Sequence, residues 1–517
     1  MVHSALLLAV LAAVPANYLV FEIDRHDAIT LVSADAVTVV AGEVEGSPTT
    51  SPDAVDVELR DANGIAIWQT SVPVDRYIRA EFPNADGTID GQRIERERVP
   101  FVVRVPDGGE TIELTSTRSR SISQFAVRAL PLASHAAETP RIRGDAGNPA
   151  NRLDILIMGD GYTSAETAKF DEDVQRITSQ FFDIQPYKSY RSFVNVTTRF
   201  VASPQSGADH PLCADGGFDP KAGTSVNTAF DATYCSSGLQ RLLTVNYAKV
   251  YAAAAAVPNW DVVMVVVNDS LYGGAGGSVC VVSTHAQAVG VAQHEFGHTF
   301  TGLADEYSTP YPSYPPCTDL SGAGTCEPNV TNQAARASIK WSPWINTSTT
   351  IPTLPPFSGV GLFEGARYQS TGFFRPKNEC LMGILGRPFC EVCAQAFVLR
   401  LYNGWKTGAR VDLIENVTPS DANLSVSAGQ AVPFSAEILN PDGGAARVRW
   451  LVDGAEASSS ASFTLSPAIG THTVELRVTD PATFVNPQMA GGALTKTRTW
   501  AVVATAPSAA KKRRAIH

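Results

Sequence analysis

The sequence predicts a multidomain protein in which a central α/β (α+β) domain lies between two β-sandwich domains. Short alternating strands separated by polar turns occupy both ends of the chain, whereas continuous apolar runs alternate with helical segments in the middle. A chain of 517 residues has room for about two to four domains. With 44% hydrophobic and 18% charged residues, it can bury a substantial core.

Residues 1–16 have the pattern of a signal peptide. The run ALLLAVLAAVPA at 5–16 is apolar, ends in small residues and is too short for a membrane-spanning helix. The segment before it contains His3 but no lysine or arginine, so a misplaced start or a first β-strand are the alternatives. We predict export to a secreted or cell-envelope location. Stable membrane insertion is not expected, because no other apolar run reaches about 18 residues.

Residues 18–133 predict an N-terminal β-sandwich, an accessory domain with no sign of catalysis. The segments AVDVEL and IAIW flank a hairpin turn of sequence Asp-Ala-Asn-Gly at 61–64. FVVRV and TIELTS follow, with a glycine-rich turn at 107–109 between them. Residues 134–151 are polar and rich in proline, glycine and alanine, which indicates a linker.

Residues 150–410 predict the central domain. LDILIMG at 153–159 is a continuous apolar run of the kind found in buried strands, and FVNVTTRFVAS and WDVVMVVVND are two further strand candidates. SAETAKFDEDVQRITSQFF opens with Ser164 as N-cap and has apolar residues at helical spacing, namely Phe170, Val174, Ile177 and Phe181. A helical stretch at 390–402 closes the domain near Asn403.

Residues 411–505 return to the β pattern and predict a second sandwich. Val448, Trp450 and Val452 alternate in RVRWLVDG, as apolar residues also do in GTHTVELRVTD. This region resembles the immunoglobulin-like domains of the PKD type that are often attached to secreted bacterial enzymes. The basic tail, 506–517, is either an interaction tail or a solvated end. The net charge of −11 does not favour nucleic acid as a partner.

Eight cysteines lie in the middle of the chain, and in an exported protein they first indicate disulfides. Proximity along the chain suggests the pairs Cys213–Cys235 and Cys317–Cys326. Cys390 and Cys393 form a CxxC pair that could be half of a structural zinc site, although no second CxxC pair lies nearby.

The segment VAQHEFGHTFTGLADEY, 291–307, carries the main chemical pattern. Small and apolar residues at 288–300 predict a helix, on which His294 and His298 lie one turn apart on one face. Two imidazoles so placed can bind one metal ion at about 2.0–2.1 Å. Glu295 would lie beside the ion and accept a proton from water, as in the HExxH motif of zinc peptidases.

A third ligand is expected shortly after the helix, because a catalytic zinc typically has three protein ligands and one open position. Gly302 can end the helix in a left-handed turn and let the chain double back, which favours Asp305 as that ligand. Glu306 competes with it, but adjacent side chains of an extended segment point apart, so only one should face the ion. A distant glutamate, such as Glu327 or Glu364, is the remaining alternative.

Met382, in ECLMGILG, adds a further feature, since a methionine turn beneath the metal is a mark of the metzincin peptidases. Metzincins place a glycine three and the third ligand six residues after the second histidine. In this chain the corresponding gaps are four and seven. The glycine-to-ligand spacing is kept, so the turn is displaced as a unit.

Four segments together resemble the M64 peptidase family, named for a bacterial metalloendopeptidase that cleaves IgA. They are HEFGHTFTGLADEY, NDSLYGGAGG, FFRPKNECLMG and FCEVC, and the resemblance covers residues 154–403. It implies a zinc-dependent endopeptidase. Together with the predicted leader and the HExxH motif, it leads us to expect a secreted enzyme that hydrolyses peptide bonds with one catalytic Zn²⁺ and Glu295 as general base. The resemblance does not imply IgA as substrate, because pocket shape and accessory domains set substrate choice.

Several weaker candidates surround this motif. Tyr307, Tyr368 and Arg375 could donate to the oxyanion, or could be structural. The glycine run 273–277 could be an edge that pairs with an extended peptide, or a loop. Two strand-end carboxylates could bind Ca²⁺, or could cap turns: Asp160 and Asp269.

The alternative function is a non-catalytic binding or adhesion protein built on a peptidase-like core. A core that had lost activity would be expected to lose the base or a histidine, whereas this sequence keeps Glu295 and both histidines. The predicted partner is a protein or peptide substrate, and the sequence does not define the oligomeric state.

Overall fold

The computed structural model describes residues 13–44, 46, 53–83, 89–134, 141–142, 147–310, 314, 317–320, 326–404 and 410–506. Most of the predicted leader and nearly all of the basic tail lie outside these residues. The described part is a multidomain mixed α/β structure with several β-sheets. Within that part, no helix combines the length and apolarity needed to cross a bilayer.

The N-terminal region is built from ten strands, which form two four-stranded sheets and a hairpin. The strands are β1 Ala13–Asp24, β2 Ile29–Val40, β3 Ala54–Arg60, β4 Ala66–Pro73, β5 Tyr77–Pro83, β6 Ile89–Glu95, β7 Arg98–Pro106, β8 Thr111–Ser116, β9 Ile122–Ala126 and β10 Ala133–Ser134. One sheet has the order β10-β2-β1-β7 and the other β4-β3-β8-β9, while β5 pairs with β6. Side chains from both sheets form one core, so the arrangement is sandwich-like.

Two local predictions for this region can be compared with the structure. The turn at 61–64 joins β3 to β4 as predicted, with Gly64 at a positive φ of 77°. Strand β1 already begins at Ala13, so the last residues of the predicted leader pair with β2. The leader itself stays a prediction.

The described residues of the central region form a six-stranded sheet, a two-stranded sheet and four α-helices, besides short 3-10 turns. The strands are β11 Arg141–Ile142, β12 Leu153–Asp160, β13 Val194–Arg199, β14 Val262–Val267, β15 Gly274–Ala275, β16 Val279–Ser283, β17 Phe363–Ala366 and β18 Gln369–Arg375. The helices are α1 Thr167–Phe181, α2 Tyr247–Ala254, α3 Ala288–Thr299 and α4 Glu391–Asn403. The large sheet has the order β11-β13-β12-β14-β16-β15, and its four inner strands are parallel.

Both faces of the large sheet are buried, which explains the continuous apolar runs. Ile155 and Ile157 of β12 pack with α1 and α3, whereas Leu156 and Met158 pack with α2 and strand β1. The predicted helix α1 is present, but Thr163 and not Ser164 precedes it as the cap. Thr163 forms a capping box with Glu166 and so satisfies free amides at the start of the helical segment.

The C-terminal region consists of eight strands in two sheets. They are β19 Ile414–Thr418, β20 Asn423–Ser427, β21 Val432–Ile438, β22 Arg447–Val452, β23 Ala455–Ser458, β24 Ser462–Leu465, β25 Gly470–Thr479 and β26 Thr495–Thr505. The sheet orders are β19-β21-β24 and β20-β26-β25-β22-β23. This region docks on the end of α4, where the hydroxyls of Tyr190 and Tyr402 each donate to the Asp480 carboxylate at 2.7 Å.

The cysteines divide into two groups. The disulfides Cys213–Cys235 and Cys317–Cys326 are present, which confirms the two predicted pairs. The other four cysteines are free and buried: Cys280, Cys380, Cys390 and Cys393.

Candidate metal centre

Helix α3 follows the near-edge strand β16 and carries both histidines of the HExxH sequence. It ends at Thr299, and Gly302 adopts a positive φ of 72° while its amide donates to the His298 carbonyl at 3.0 Å. The predicted left-handed turn is therefore present. It directs the following segment back toward the helix, and Asp305 becomes fully buried beside the histidines.

Three side-chain atoms converge on one point. The Nε2 atoms of His294 and His298 lie 3.0 Å apart, and Asp305 Oδ1 lies 3.2 and 3.0 Å from them. Ligands of a tetrahedral zinc at 2.0–2.1 Å would be separated by about 3.3 Å. These three residues, which we call the histidine cluster, therefore fit the ligand set of a small divalent ion.

Hydrogen bonds on the opposite ring edges fix the imidazole tautomers. Nδ1 of His294 faces the Leu381 carbonyl at 3.0 Å, and Nδ1 of His298 faces the Leu303 carbonyl at 2.6 Å. Because a carbonyl can only accept, each Nδ1 carries the proton and each Nε2 presents a lone pair. Three electron-pair donors then face each other in a buried site, an arrangement that a cation between them would stabilise.

Two tyrosines border the cluster. The Tyr368 hydroxyl donates to Asp305 Oδ2 at 2.9 Å, so it orients this carboxylate. The Tyr307 hydroxyl lies 3.2 Å from His294 Nε2, with its ring nearly parallel to the imidazole. Burial alone would raise the pKa of Asp305, whereas protonated imidazoles of His298 and His294 would hold that pKa well below its ordinary value. With both Nε2 atoms unprotonated, a bound cation would have the same effect on this carboxylate.

Glu295 lies on the side of α3 that faces the sheet edge. Its side chain is fully buried and rests against Gly276, where an added Cβ would come within 1.5 Å of Glu295 Oε2. The predicted peptide-pairing glycine run is thus the surface against which this carboxylate packs. Only glycine at 276 leaves room for it.

The loop that contains Met382 passes beneath the helix. A Cβ at Gly297 would lie 2.9 Å from the Met382 sulfur, so helix and methionine are in close contact. The Met382 carbonyl accepts from the Glu306 amide at 2.8 Å, and the neighbouring Leu381 carbonyl accepts from His294. The loop therefore supports both the first histidine and the segment with the third candidate ligand.

Glu306 faces away from the histidine cluster and lies among thiols. Its Oε1 accepts from Cys393 Sγ at 3.4 Å, and Cys380 Sγ is 3.7 Å from Cys393 Sγ. We call Glu306, Cys380, Cys390 and Cys393 the cysteine cluster; all four are buried. Burial raises the pKa of Glu306, Cys380 and Cys393. Burial opposes ionisation of Cys390 as well, but hydrogen bonds from the other two thiols lower its pKa to about 6.

The sequence alone does not indicate this cluster as a unit. The CxxC pair is visible in it, but Glu306 was predicted only as a rival of Asp305. The available signal was Cys380, which stands two residues before Met382.

The remaining candidates are bound elsewhere. The guanidinium of Arg375 donates to backbone carbonyls of β17, and Glu327 pairs with Arg367 at 2.8 Å. Glu364 accepts from a backbone amide of β18. Neither distant glutamate belongs to a metal-ligating group among the described residues. Of the two carboxylates considered for calcium, Asp160 accepts from backbone amides and hydroxyls, and Asp269 pairs with His210 and Lys221. Both are satisfied by protein donors.

Comparison with known proteins adds a family match. The model of the family described as IgA Peptidase M64 matches residues 143–359 and 355–400. No curated protein matches the chain. Among solved structures, the fibronectin(III)-like modules of Clostridium thermocellum CbhA are 16% identical, with 18% of this chain and 98% of theirs covered, at a TM-score of 0.14. The β-glucuronidase of Parabacteroides merdae is 7% identical, with coverages of 92% and 62% and a TM-score of 0.14. Structural likeness this low carries no conclusion about the fold.

Proposed function

Residues 143–400 belong to the IgA Peptidase M64 family, and from that premise we propose that the protein is a secreted, zinc-dependent endopeptidase. The observation that carries the proposal is the convergence of His294, His298 and Asp305 within 3.0–3.2 Å of one another. A site of two neutral imidazoles and one carboxylate suits zinc and leaves a coordination position open. The two disulfides support an oxidising compartment and hence export.

The histidine cluster would hold the ion. Zinc supplies Lewis-acid chemistry when bound: it polarises a carbonyl and lowers the pKa of water to about 7. The carbonyls of Leu381 and Leu303 keep both Nε2 atoms available as ligands, and Tyr368 holds Asp305 in place.

Glu295 would move the proton. A carboxylate oxygen of Glu295 accepts a proton from the attacking water and then donates it to the nitrogen of the leaving amine. Its complete burial keeps bulk water from competing for that proton. Tyr307, whose hydroxyl lies 3.2 Å from His294 Nε2, would donate to the developing oxyanion.

The experiment is a comparison of the parent enzyme with Glu295→Gln on casein, with and without a chelator. Glu295 is the base and not a ligand, so the variant should keep its zinc and lose about 10²–10⁴-fold in kcat/KM. Chelation should abolish cleavage by the parent, and zinc should restore it.

A matched control is Glu415→Gln, which removes a carboxylate on β19 that pairs with Arg152 and belongs to neither cluster. It should cleave casein like the parent. Cleavage by Glu295→Gln at the parental rate would exclude this mechanism. Chelator-insensitive cleavage would exclude zinc dependence.

A further inference from the structure

The cysteine cluster joins three segments of the central region that are distant in sequence. Glu306 comes from the stretch after α3, Cys380 from the loop that holds Met382, and Cys390 and Cys393 from the start of α4. Their candidate ligand atoms all lie within 4.8 Å of one another, and every one of the four residues is buried. Nothing in the proposed peptidase chemistry uses these groups.

The spacing matches a tetrahedral ion. With Zn–S bonds of about 2.3 Å, two thiolates of a tetrahedral site lie about 3.8 Å apart, and a thiolate and a carboxylate oxygen about 3.6 Å apart. Cys380 Sγ and Cys393 Sγ are 3.7 Å apart, and Cys393 Sγ is 3.4 Å from Glu306 Oε1. The four donors therefore surround a space of the right size for one ion.

Groups around the cluster are oriented toward thiolates and a carboxylate. The amides of Cys390 and Cys393 donate to Cys380 Sγ at 3.3 Å and Cys390 Sγ at 3.5 Å. Asn329, also fully buried, donates to Glu306 Oε1 at 3.0 Å and to the Ala304 carbonyl at 2.8 Å. Such outer contacts fix ligand geometry around metals.

From these observations we propose that Glu306, Cys380, Cys390 and Cys393 bind a structural zinc ion. Three sulfur ligands and one carboxylate suit zinc among common divalent ions, and four protein ligands close the site to substrate. The chain forms disulfides at two other pairs but keeps these three thiols free. A buried group of four potential anions is costly without a cation, and zinc removes that cost.

This ion would stabilise the segments that position the histidine cluster. It would tie residue 306, directly after Asp305, to the loop whose Leu381 carbonyl orients His294. It would also tie both to the N-terminus of α4, which carries Cys390 and Cys393. The inference does not require that the histidine cluster be catalytic.

The first test uses the unmodified full-length protein. After dialysis against metal-free buffer, zinc is measured by mass spectrometry, and thiols are titrated after denaturation with chelator but without reductant. We expect one zinc ion for each of the two clusters, and four thiols from the free cysteines. A disulfide within the cysteine cluster would leave only two of these four thiols. That result, or four thiols with no zinc beyond the histidine cluster's, overturns the proposal.

Variants assign each ion to its site. His298→Ala should keep only the zinc of the cysteine cluster, and Cys390→Ser should keep only the zinc of the histidine cluster. Cys280→Ala should keep both ions, because Cys280 is a buried cysteine outside the cluster. Cobalt-loaded His298→Ala should show thiolate-to-cobalt charge-transfer absorption, a readout that stands even if Cys390→Ser fails to fold. Absence of that absorption overturns the proposal. A single zinc that survives in His298→Ala and is lost in Cys390→Ser would support this site and reject the proposed function.

Discussion

The histidine cluster and the cysteine cluster begin at neighbouring residues, Asp305 and Glu306, yet they offer opposite chemistry. The first presents two imidazole nitrogens and one carboxylate oxygen, with a tyrosine hydroxyl 3.2 Å from one of those nitrogens. The second surrounds its centre with three sulfurs and one carboxylate oxygen. Three ligands leave a position where substrate can bind, whereas four ligands fill a tetrahedral site.

The difference shows how one short segment can serve two sites. The extended chain after Gly302 turns successive side chains to opposite sides, so residue 305 faces α3 and residue 306 faces α4. The Glu306 amide donates to the Met382 carbonyl at 2.8 Å, which holds the backbone between the two sites in place. Because residues 305 and 306 are adjacent, a substitution in one site can shift the backbone of the other. It removes a ligand only from its own site, so the two sites should respond unequally.

The paired variants Asp305→Asn and Glu306→Gln test this division and should give the largest effects. Asp305→Asn removes an anionic ligand of the histidine cluster, and kcat/KM should fall about 10³-fold or more, since a catalytic metal supplies several kcal/mol. Glu306→Gln should weaken only the zinc of the cysteine cluster and leave measurable proteolysis. Zinc content and casein cleavage are measured on both. If Glu306→Gln removed the zinc of the histidine cluster and Asp305→Asn did not, Glu306 and not Asp305 would be the third ligand of that cluster.

The histidine cluster was predictable because its determinants are local. The four-residue spacing of the histidines, the left-handed Gly302 and the return to Asp305 all lie within twelve residues of sequence, where helix periodicity and turn geometry decide position. The cysteine cluster was not predictable as a unit, since Glu306 and Cys380 meet only through the tertiary fold. A CxxC pair indicates two possible ligands, but it does not identify the other two residues of the site.

The same distinction holds for the fold. Apolar runs identified the buried strands β12 and β14, and alternation identified strands at both ends of the chain. Burial of β1 on both faces was missed: Leu19 and Phe21 enter the N-terminal core, while Tyr18 and Val20 pack with α2. This second face of β1 is buried only because the central region packs against it, and no local sequence pattern indicates such a contact. Two strands of only two residues each are too short to show a period: β10 at the start of the predicted linker and β11 within it.

Gly276→Ala sharpens the comparison by disturbing only the side of α3 that bears Glu295. The new Cβ would overlap Glu295 Oε2, so the carboxylate must shift by about 1 Å or more, which can cost about 10²-fold in kcat/KM. Zinc content should not change, because neither cluster is touched. Gly290→Ala on the same helix is the control, since its Cβ meets nothing closer than 3.8 Å. Equal activities of the two variants would contradict the placement of Glu295.

A buried histidine elsewhere in the chain gives a final contrast, between a site for a proton and a site for a metal. Nδ1 of His210 lies 2.8 Å from Asp219 and Nε2 lies 3.0 Å from Asp269, so both ring nitrogens face carboxylates. Lys221 also donates to Asp269, at 2.6 Å. Burial would lower the pKa of His210, but the hydrogen bonds to Asp269 and Asp219 raise it above the ordinary 6.5. This imidazole binds a second proton where those of the histidine cluster would bind zinc.

The smallest predicted effect follows from that raised pKa. Stability gained from the His210 imidazolium is fully present below pH 6.5 and is lost as the pH rises through the higher pKa of the folded state. The free energy of unfolding of the parent, relative to His210→Asn, should therefore fall in urea denaturation as the pH rises from below 6.5 through the raised pKa, because the imidazolium then loses its charge. His472→Asn is the control, because His472 pairs with Asp453 at 2.7 Å on the exposed surface, and its change should be smaller. A His210 difference that did not vary with pH would mean that folding leaves the pKa of this imidazole unchanged. The fold would then not favour a second proton on His210, and the contrast between His210 and the histidine cluster would fail.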